Sequence, residues 1–321
     1  RERLITAIPH SLKHAITVGI GLLIAMIGLQ WAGVIVDSSG TLVTLGDLRT
    51  TPVLVALIGF SVIAVLLARG VHGAILIGIL SSSLLAWIIG LIEFQGITSA
   101  PPSLLPTLFQ LDVLGALRPE MVNVVFTFFF LALFDSVGTL VGVAEQAGLM
   151  RDGVLPRARG ALLADAVGTV VGAGLGTSTV TAYVESATGV AAGGRTGLAS
   201  VVTAFLFFAA LFLSPLVSMI GGGFDVGDGV TLYPVVAPAL IIVGTIMVKG
   251  VRRIDWDDLT EAIPAFLVMI MMPLTISITE GIAFGFIAFT LLKLVAGRGD
   301  EVNWVVYLFT VLFIIRYLVL V

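Results

Sequence analysis

Apolar residues run in long blocks along this chain, and the polar positions between them set the boundaries of the expected elements. Crossing about 30 Å of hydrocarbon takes roughly 20 helical residues. Blocks of that order fall at 13–36, 52–69, 72–92, 121–147, 158–173, 196–219 and 234–250. The apolar run from Ile263 to Val295 is too long for one crossing. It carries Ser277, Thr279, Glu280 and Gly281 at its centre, which divides it into helices at 262–279 and 281–296. The block 302–320 contains Arg316 and either spans the membrane or lies in its interface. Between 93 and 119, Pro101, Pro102 and Pro106 followed by LLPTLFQLDVLGAL read as a linker with a short surface helix.

One stretch departs from this pattern. From Ala164 to Arg195 the chain is apolar enough to lie in a membrane, yet Gly168, Gly172, Gly174 and Gly176 crowd its middle and Thr177, Ser178, Thr179 and Thr181 follow at once. A glycine inside a helix costs about 1 kcal/mol. The spacing therefore predicts a helix ending between Gly172 and Gly176, a short extended piece, and a second half-helix starting near Thr179, with 176–192 as a broken element. Such backbone is tolerated at membrane depth only inside protein or beside a water-filled cavity. A half-helix that starts there presents unpaired N–H groups and a partial positive end. Thr177 and Ser178 either cap that end or contact a ligand.

Composition fixes the class. The chain has 321 residues, 58% of them hydrophobic and 11% charged, with a mean hydropathy of +1.16. That excludes a soluble globular domain and points to an all-α polytopic membrane protein embedded in a lipid bilayer. Cysteine is absent and the three histidines are scattered, so no disulfide, thiolate chemistry, metal or other cofactor is expected. A net charge of −4 gives no basic footprint for nucleic acid. The opening RERLITAIPHSLK has neither Met nor a signal-peptide design and leads straight into a span, which suggests an upstream part. Lys and Arg collect in alternate loops, at Arg1, Arg3 and Lys13, Arg69, Arg151, Arg157 and Arg159, Arg195, Lys249, Arg252 and Arg253, and Lys293 and Arg298, which places those loops in the cytoplasm.

Ionisable residues inside the apolar blocks are the candidates for chemistry, because charge at membrane depth costs several kcal/mol unless it faces a cavity or a partner. Asp135, in the middle of FFFLALFDSVGTLVGVAEQAG, and Glu185, inside the expected second half-helix, are read as a functional pair. Arg195 lies ten residues beyond Glu185, about 15 Å along a helix and too far to neutralise it directly. Glu145 reads as a solvated end charge near Arg151. Asp165 is either a site residue or a partner of Arg157 or Arg159. Glu280 reads as a hairpin-tip charge. Gly138 and Gly142 form a small-xxx-small pair suited to close helix packing, expected to bring the Asp135 helix against the segment carrying Glu185.

With FDSVGT at Asp135, GTSTVTAYVESATGVAAGGRTG at 176–197 and FLSPL at 212–216, the chain resembles the adenine/guanine/hypoxanthine permeases of the nucleobase-cation symporter superfamily, from RERLITAIP to the C-terminus. The resemblance implies an inverted-repeat fold of two seven-helix halves with core and gate domains, in which the third and tenth elements are each part strand and part helix. Residues 1–92 would supply gate helices of the first repeat, 93–119 an extracellular linker, 120–219 the substrate-binding core, 234–296 gate helices of the second repeat, and 302–320 a C-terminal helix. The chain would lack the first four helices. Carried onto this sequence, the resemblance implies that Asp135 and Glu185 hydrogen-bond a purine base and couple to the proton, with Thr177 and Ser178 at the strand-to-helix turn. Ala132 departs from the family pattern, in which many members carry a second acidic residue.

These features predict secondary active transport of purine nucleobases across the plasma or inner membrane by proton symport, with sodium as the other candidate ion. Paired hydrogen bonds from a carboxylate suit the base edge, and Phe128 or Phe130 would stack on its face. An anion transporter of the same fold is the alternative, although the carboxylate pair argues against it. A membrane-embedded enzyme would need a nucleophile, base or metal near the break, where no His or Cys lies. The oligomeric state is left open, with a homodimer as one assembly.

Overall fold

The computed structural model describes residues 8–150, 155–183, 186–227 and 229–319. Its elements in chain order are α1 (His10–Trp31), β1 (Ile35–Ser38), β2 (Leu42–Leu45), α2 (Thr51–Ala68), α3 (Ala74–Ile88), α4 (Val113–Ala116), α5 (Val122–Gln146), α6 (Ala158–Leu175), α7 (Ser186–Ala191), α8 (Gly197–Phe212), α9 (Ser214–Gly221), β3 (Phe224–Asp225), β4 (Thr231–Leu232), α10 (Ala237–Met247), α11 (Leu259–Thr275), α12 (Ile278–Val295) and α13 (Trp304–Val319). Among the described residues, α1, α2, α6 and α12 are long and apolar enough to cross a membrane. The bent pair α8 and α9 reads as one broken span, and α3, α11 and α13 are shorter apolar helices.

The boundaries follow local chemistry. The expected span 13–36 stops at Trp31, because the β-branched run Val34–Ile35–Val36 enters an antiparallel hairpin in which Ile35 pairs with Leu45 and Ser38 with Leu42. The expected span 196–219 is not continuous either: it bends by 98° between α8 and α9. Pro215 sits in the first turn of α9, where its missing N–H costs nothing, whereas it would break a helix interior. In the 93–119 linker the helical part is α4, whose first turn is capped by Asp112 Oδ1 accepting from the Gly115 amide at 2.7 Å. The long 263–295 run divides at Ile276, which adopts a left-handed conformation with φ 50°. Ser277 then caps α12, its hydroxyl accepting from the Glu280 amide at 3.3 Å.

Contacts divide the chain into two compact units. One comprises residues 1–23, 103–190 and 247–321. At its centre α12 packs against α11, α13 and α5, burying Phe286 and Phe289. Lys293, near the end of α12, touches Glu261 at the start of α11, so the two helices run antiparallel. In turn α13 returns along α12, with the Thr290 and Thr310 hydroxyls 2.8 Å apart and Arg316 Nη2 2.6 Å from Glu280 Oε1. Helix α13 therefore lies alongside the membrane-length helix α12.

The other unit comprises residues 24–102 and 191–246. There α2 packs on α3, and α9 on α3. Its core gathers Val55, Ala86, Ile92 and Val235, with a smaller cluster of Ala32, Ala56 and Ala237. The hairpin β3–β4 pairs Phe224 with Leu232.

Candidate substrate site

The glycine-rich stretch folds much as its composition predicts, with one boundary displaced. Helix α6 runs through Gly168, Gly172 and Gly174 and ends at Leu175. Gly176 then turns left-handed with φ +86°. The Gly176 amide donates to Ala173 O at 3.0 Å and the Thr177 amide to Gly172 O at 2.9 Å, the paired closure of a Schellman turn. The remaining terminal carbonyls are met by the 93–119 linker. Thr107 Oγ1 donates to Leu175 O at 2.9 Å, and the Phe109 amide to Gly174 O at 2.8 Å. A helix end that lacked such partners would leave several carbonyls unpaired.

After the turn the chain folds back along α6. Thr169 Oγ1 donates to Val180 O at 2.9 Å. A Cβ at Gly172 would stand only 2.5 Å from Val180 Cγ2, so that glycine provides room for the returning backbone. Gly172 thus lies inside the helix and serves close approach, where composition alone predicts a helix breaker. Residues 177–183 lack regular structure and the second helix, α7, begins at Ser186. The expected start near Thr179 is thus too early: Val180 is held by Thr169, which keeps the chain extended past the hydroxyl run. Thr177 and Ser178 are exposed, and Thr177 Oγ1 donates to Ser178 O at 3.0 Å.

Position 135 lies midway along α5. The side chains of Asp135 and Phe130, and Glu185 altogether, lie outside the described residues. Next to Asp135 in the chain, the buried Ser136 donates from its hydroxyl to Asp165 Oδ1 at 3.0 Å, linking α5 to α6. From sequence alone the partners expected for Asp165 are Arg157 or Arg159. A serine following the motif aspartate was the available signal.

The small-residue pair on α5 provides close packing, as its spacing predicts, and among the described residues its nearest neighbours lie largely on α1. A Cβ at Gly138 would be 3.3 Å from Ile16 and 3.4 Å from Ile20, and one at Gly142 would be 3.3 Å from Thr17. Among the described residues, the nearest neighbours in this groove are the β-branched side chains of α1, with Ile278 and Met247 just beyond. Glu145 departs from its solvated reading. Its side chain is 12% exposed, and Oε1 stands 2.7 Å from both His14 Nδ1 and Arg253 Nη1.

Further charges cluster at the ends of α11, α12 and α13. The Lys293 ammonium, in a fully buried residue, lies 2.9 Å from Glu261 Oε1 and 2.8 Å from Glu301 Oε2. Arg298 holds Glu301 through two nitrogens, at 2.6 and 2.9 Å, and reaches Asp258 Oδ2 at 2.7 Å. Hydrogen bonds from Thr260 and then Arg298 hold the Asp258 carboxyl well below its usual range. Those from Arg298 and Lys293 bring Glu301 down to about 2. Bonds to Glu301 and Asp258 keep Arg298 charged more firmly than an ordinary arginine. Glu280, read as a hairpin-tip charge, instead accepts from Arg316 and from the Tyr317 hydroxyl.

An apolar helical chain of this length, with a glycine turn between helices and clusters of paired charges at the ends of α11, α12 and α13, is a polytopic membrane protein of the transporter class. The Permease family model matches residues 1–284, and the chain belongs to that family. It is 49% identical over 322 residues to a putative permease of Methanocaldococcus jannaschii, covering all of this chain and 71% of that protein. Identity is 44% to the adenine permease AdeP of Escherichia coli, over 98% of this chain and 69% of the relative. It is also 44% to the guanine/hypoxanthine permease PbuO of Bacillus subtilis, over 100% and 73%. The protein is therefore a multi-pass transporter of the cell membrane and not an enzyme.

Proposed function

We propose that this permease carries purine nucleobases of the adenine, guanine and hypoxanthine class across the cell membrane, as a secondary active transporter coupled to the proton. The observation that carries the reading is similarity along the whole chain to relatives named adenine permease and guanine/hypoxanthine permease. In this reading Asp135 and Glu185 accept hydrogen bonds from the base edge and exchange the coupling proton. Thr177 and Ser178 contact the ligand where the chain leaves α6, and Phe130 offers a face for stacking. The chain folds as part of a two-repeat architecture, with 120–219 in the binding core and 1–92 and 234–296 in the gate.

The local geometry supports these roles. An irregular 177–183, exposed from Thr177 to Val180, is the kind of backbone that a membrane protein keeps where it borders a cavity. The Ser136 to Asp165 bond joins the helix of Asp135 to the helix that leads into the segment of Glu185. A carboxylate can meet adjacent donors on a purine with two hydrogen bonds, each stronger for being charge-assisted.

The test is uptake of labelled hypoxanthine by cells producing the full-length permease, with competition by a panel of bases. Adenine, guanine or hypoxanthine should compete, and collapsing the proton gradient should abolish accumulation while removal of sodium does not. Competition by uracil but by no purine would overturn the substrate. Accumulation indifferent to the proton gradient would overturn the coupling.

A further inference from the structure

We infer that Glu145, His14 and Arg253 form a latch at the cytoplasmic end of the transport path, which holds α5 against α1 and the 248–253 turn and opens in each transport cycle. The inference rests on the function proposed above, in which α5 belongs to the binding core while α1 and 234–296 belong to the gate. A secondary transporter exposes its site to one side and then the other by moving one bundle against another. Contacts that join the two at one end therefore have to be made and broken.

The geometry concentrates that joining in one side chain. Glu145 lies in the last turn of α5. Its Oε1 stands 2.7 Å from His14 Nδ1, in the first turns of α1, and 2.7 Å from Nη1 of Arg253, which closes the short helical turn Val248–Arg253. That turn is itself seated on α1: a Cβ at Gly250 would be 3.4 Å from Val18 Cγ2 and 3.7 Å from His14 O. Both contacts of Glu145 end on the same oxygen, so one rotation of its side chain releases α5 from both partners. The Glu145 and His14 side chains are largely buried, which strengthens the bond while it is made. Deeper in the membrane the same two helices meet through Gly138 and Gly142 against Ile16, Thr17 and Ile20. These residues hold no hydrogen bond between the helices, since the Thr17 hydroxyl donates within its own helix to Lys13 O at 3.1 Å. Parting there breaks packing alone, whereas at Glu145 it breaks charged hydrogen bonds. Lys13, Lys249, Arg252 and Arg253 belong to the loops that the charge distribution assigns to the cytoplasm, which fixes the side on which the latch acts.

The test uses the full-length permease on a background free of cysteine, as this chain already is. Thr17 is 4% exposed and lies one turn deeper along α1 than His14. Thr17→Cys should react slowly with N-ethylmaleimide in the otherwise unchanged protein and about tenfold faster once Glu145→Gln is added, the effect of losing a hydrogen bond to a charged group. Arg253→Gln should act in the same direction, and at 64% exposure that substitution leaves packing intact. Labelling at the parent rate in both variants would overturn the latch. So would a rise confined to Glu145→Gln and accompanied by a lowered thermal midpoint, the mark of local unfolding. A second arm locks the interface. A Cβ at Gly142 would stand 3.5 Å from Thr17 Cγ2, near enough for Gly142→Cys and Thr17→Cys to join as a disulfide. Oxidation should bring hypoxanthine uptake to background and reduction should restore it, whereas uptake undiminished by the cross-link would overturn the inference. Labelling needs no substrate, so a parent that carries no purine refutes the proposed function while the labelling series still decides the latch.

Discussion

The hairpin α11–α12 with its companion α13, and the path from α6 through the Gly176 turn to α7, are made from similarly apolar sequence and treat polar groups in opposite ways. In the first, every charge named above has a partner: Lys293 between Glu261 and Glu301, Arg298 between Glu301 and Asp258, Glu280 with Arg316. In the second, Thr177 and Ser178 are exposed, and the backbone is irregular over 177–183. Charge in a membrane protein is retained where it is neutralised or where it works. Under the function proposed above, the helical hairpin serves structure and the glycine turn transport, and each substitution below tests one side of that division.

The largest effect is expected at Glu185. Glu185→Gln keeps size and an acceptor but cannot ionise, so the variant should bind a purine while accumulation falls to background. Asp165→Asn should be milder, because asparagine still accepts a hydrogen bond from Ser136. Radiolabelled uptake in parallel with purine binding measures both. Accumulation at the parent level in Glu185→Gln, still dependent on the proton gradient, would leave Asp135 as the coupling candidate.

Lys293→Met should act on stability instead. Removing the ammonium leaves Glu261 without its partner, whereas Glu301 keeps Arg298, and leaving a part-buried polar group unpaired costs about 1–3 kcal/mol. A lower thermal midpoint is expected, with unchanged base specificity in whatever fraction folds. A variant as stable as the parent that transports a different set of bases would reverse the assignment of the hairpin.

How much of this was legible in the sequence depended on how local the cause was. The apolar runs gave the helices, and Gly176 with its neighbours gave the turn, since both act through the residue's own backbone or side chain. The break near Ser277 was legible too, although the Ser277 to Glu280 capping spacing would have placed it better than the polar cluster did. What escaped were partners distant in the chain. Nothing in the sequence near Glu145 points to His14 or Arg253, 108 residues from it. Likewise Thr107 and Phe109 meet the end of α6 from the far side of α5 in sequence. The site's central residues, Asp135 and Glu185, came from intramembrane charge and family resemblance, and their roles stay with the uptake experiment.

A smaller effect is expected at Gly176. Its φ of +86° is accessible to glycine, and a Cβ there would fall 2.4 Å from Thr107 Cβ. Gly176→Ala should therefore cost about 1–2 kcal/mol. It should also loosen the linker contact, lowering transport more than the modest loss of stability accounts for. Equal proportional losses of folded protein and of uptake would make the turn merely structural.

The smallest effect concerns acid. Arg298 and Lys293 hold the Glu301 carboxyl at about 2, below its ordinary 4.5. Asp258 is depressed in the same sense by Thr260 and Arg298. For a carboxylate whose folded pKa lies below its unfolded one, the stabilisation is complete above the unfolded value and disappears as the pH falls through the folded one. The thermal midpoint should accordingly be insensitive to these groups near neutrality and decline from about pH 4.5 toward pH 2. Both carboxylates are solvent-accessible, so salt should shrink the decline. Arg298→Gln removes the common partner and should flatten the acid limb while leaving uptake at neutral pH intact. Melting curves of parent and variant across that range separate this cluster from the other carboxylates, which titrate in both. An identical acid slope in the two proteins would mean that the hairpin's outermost charges are paired without contributing to its stability.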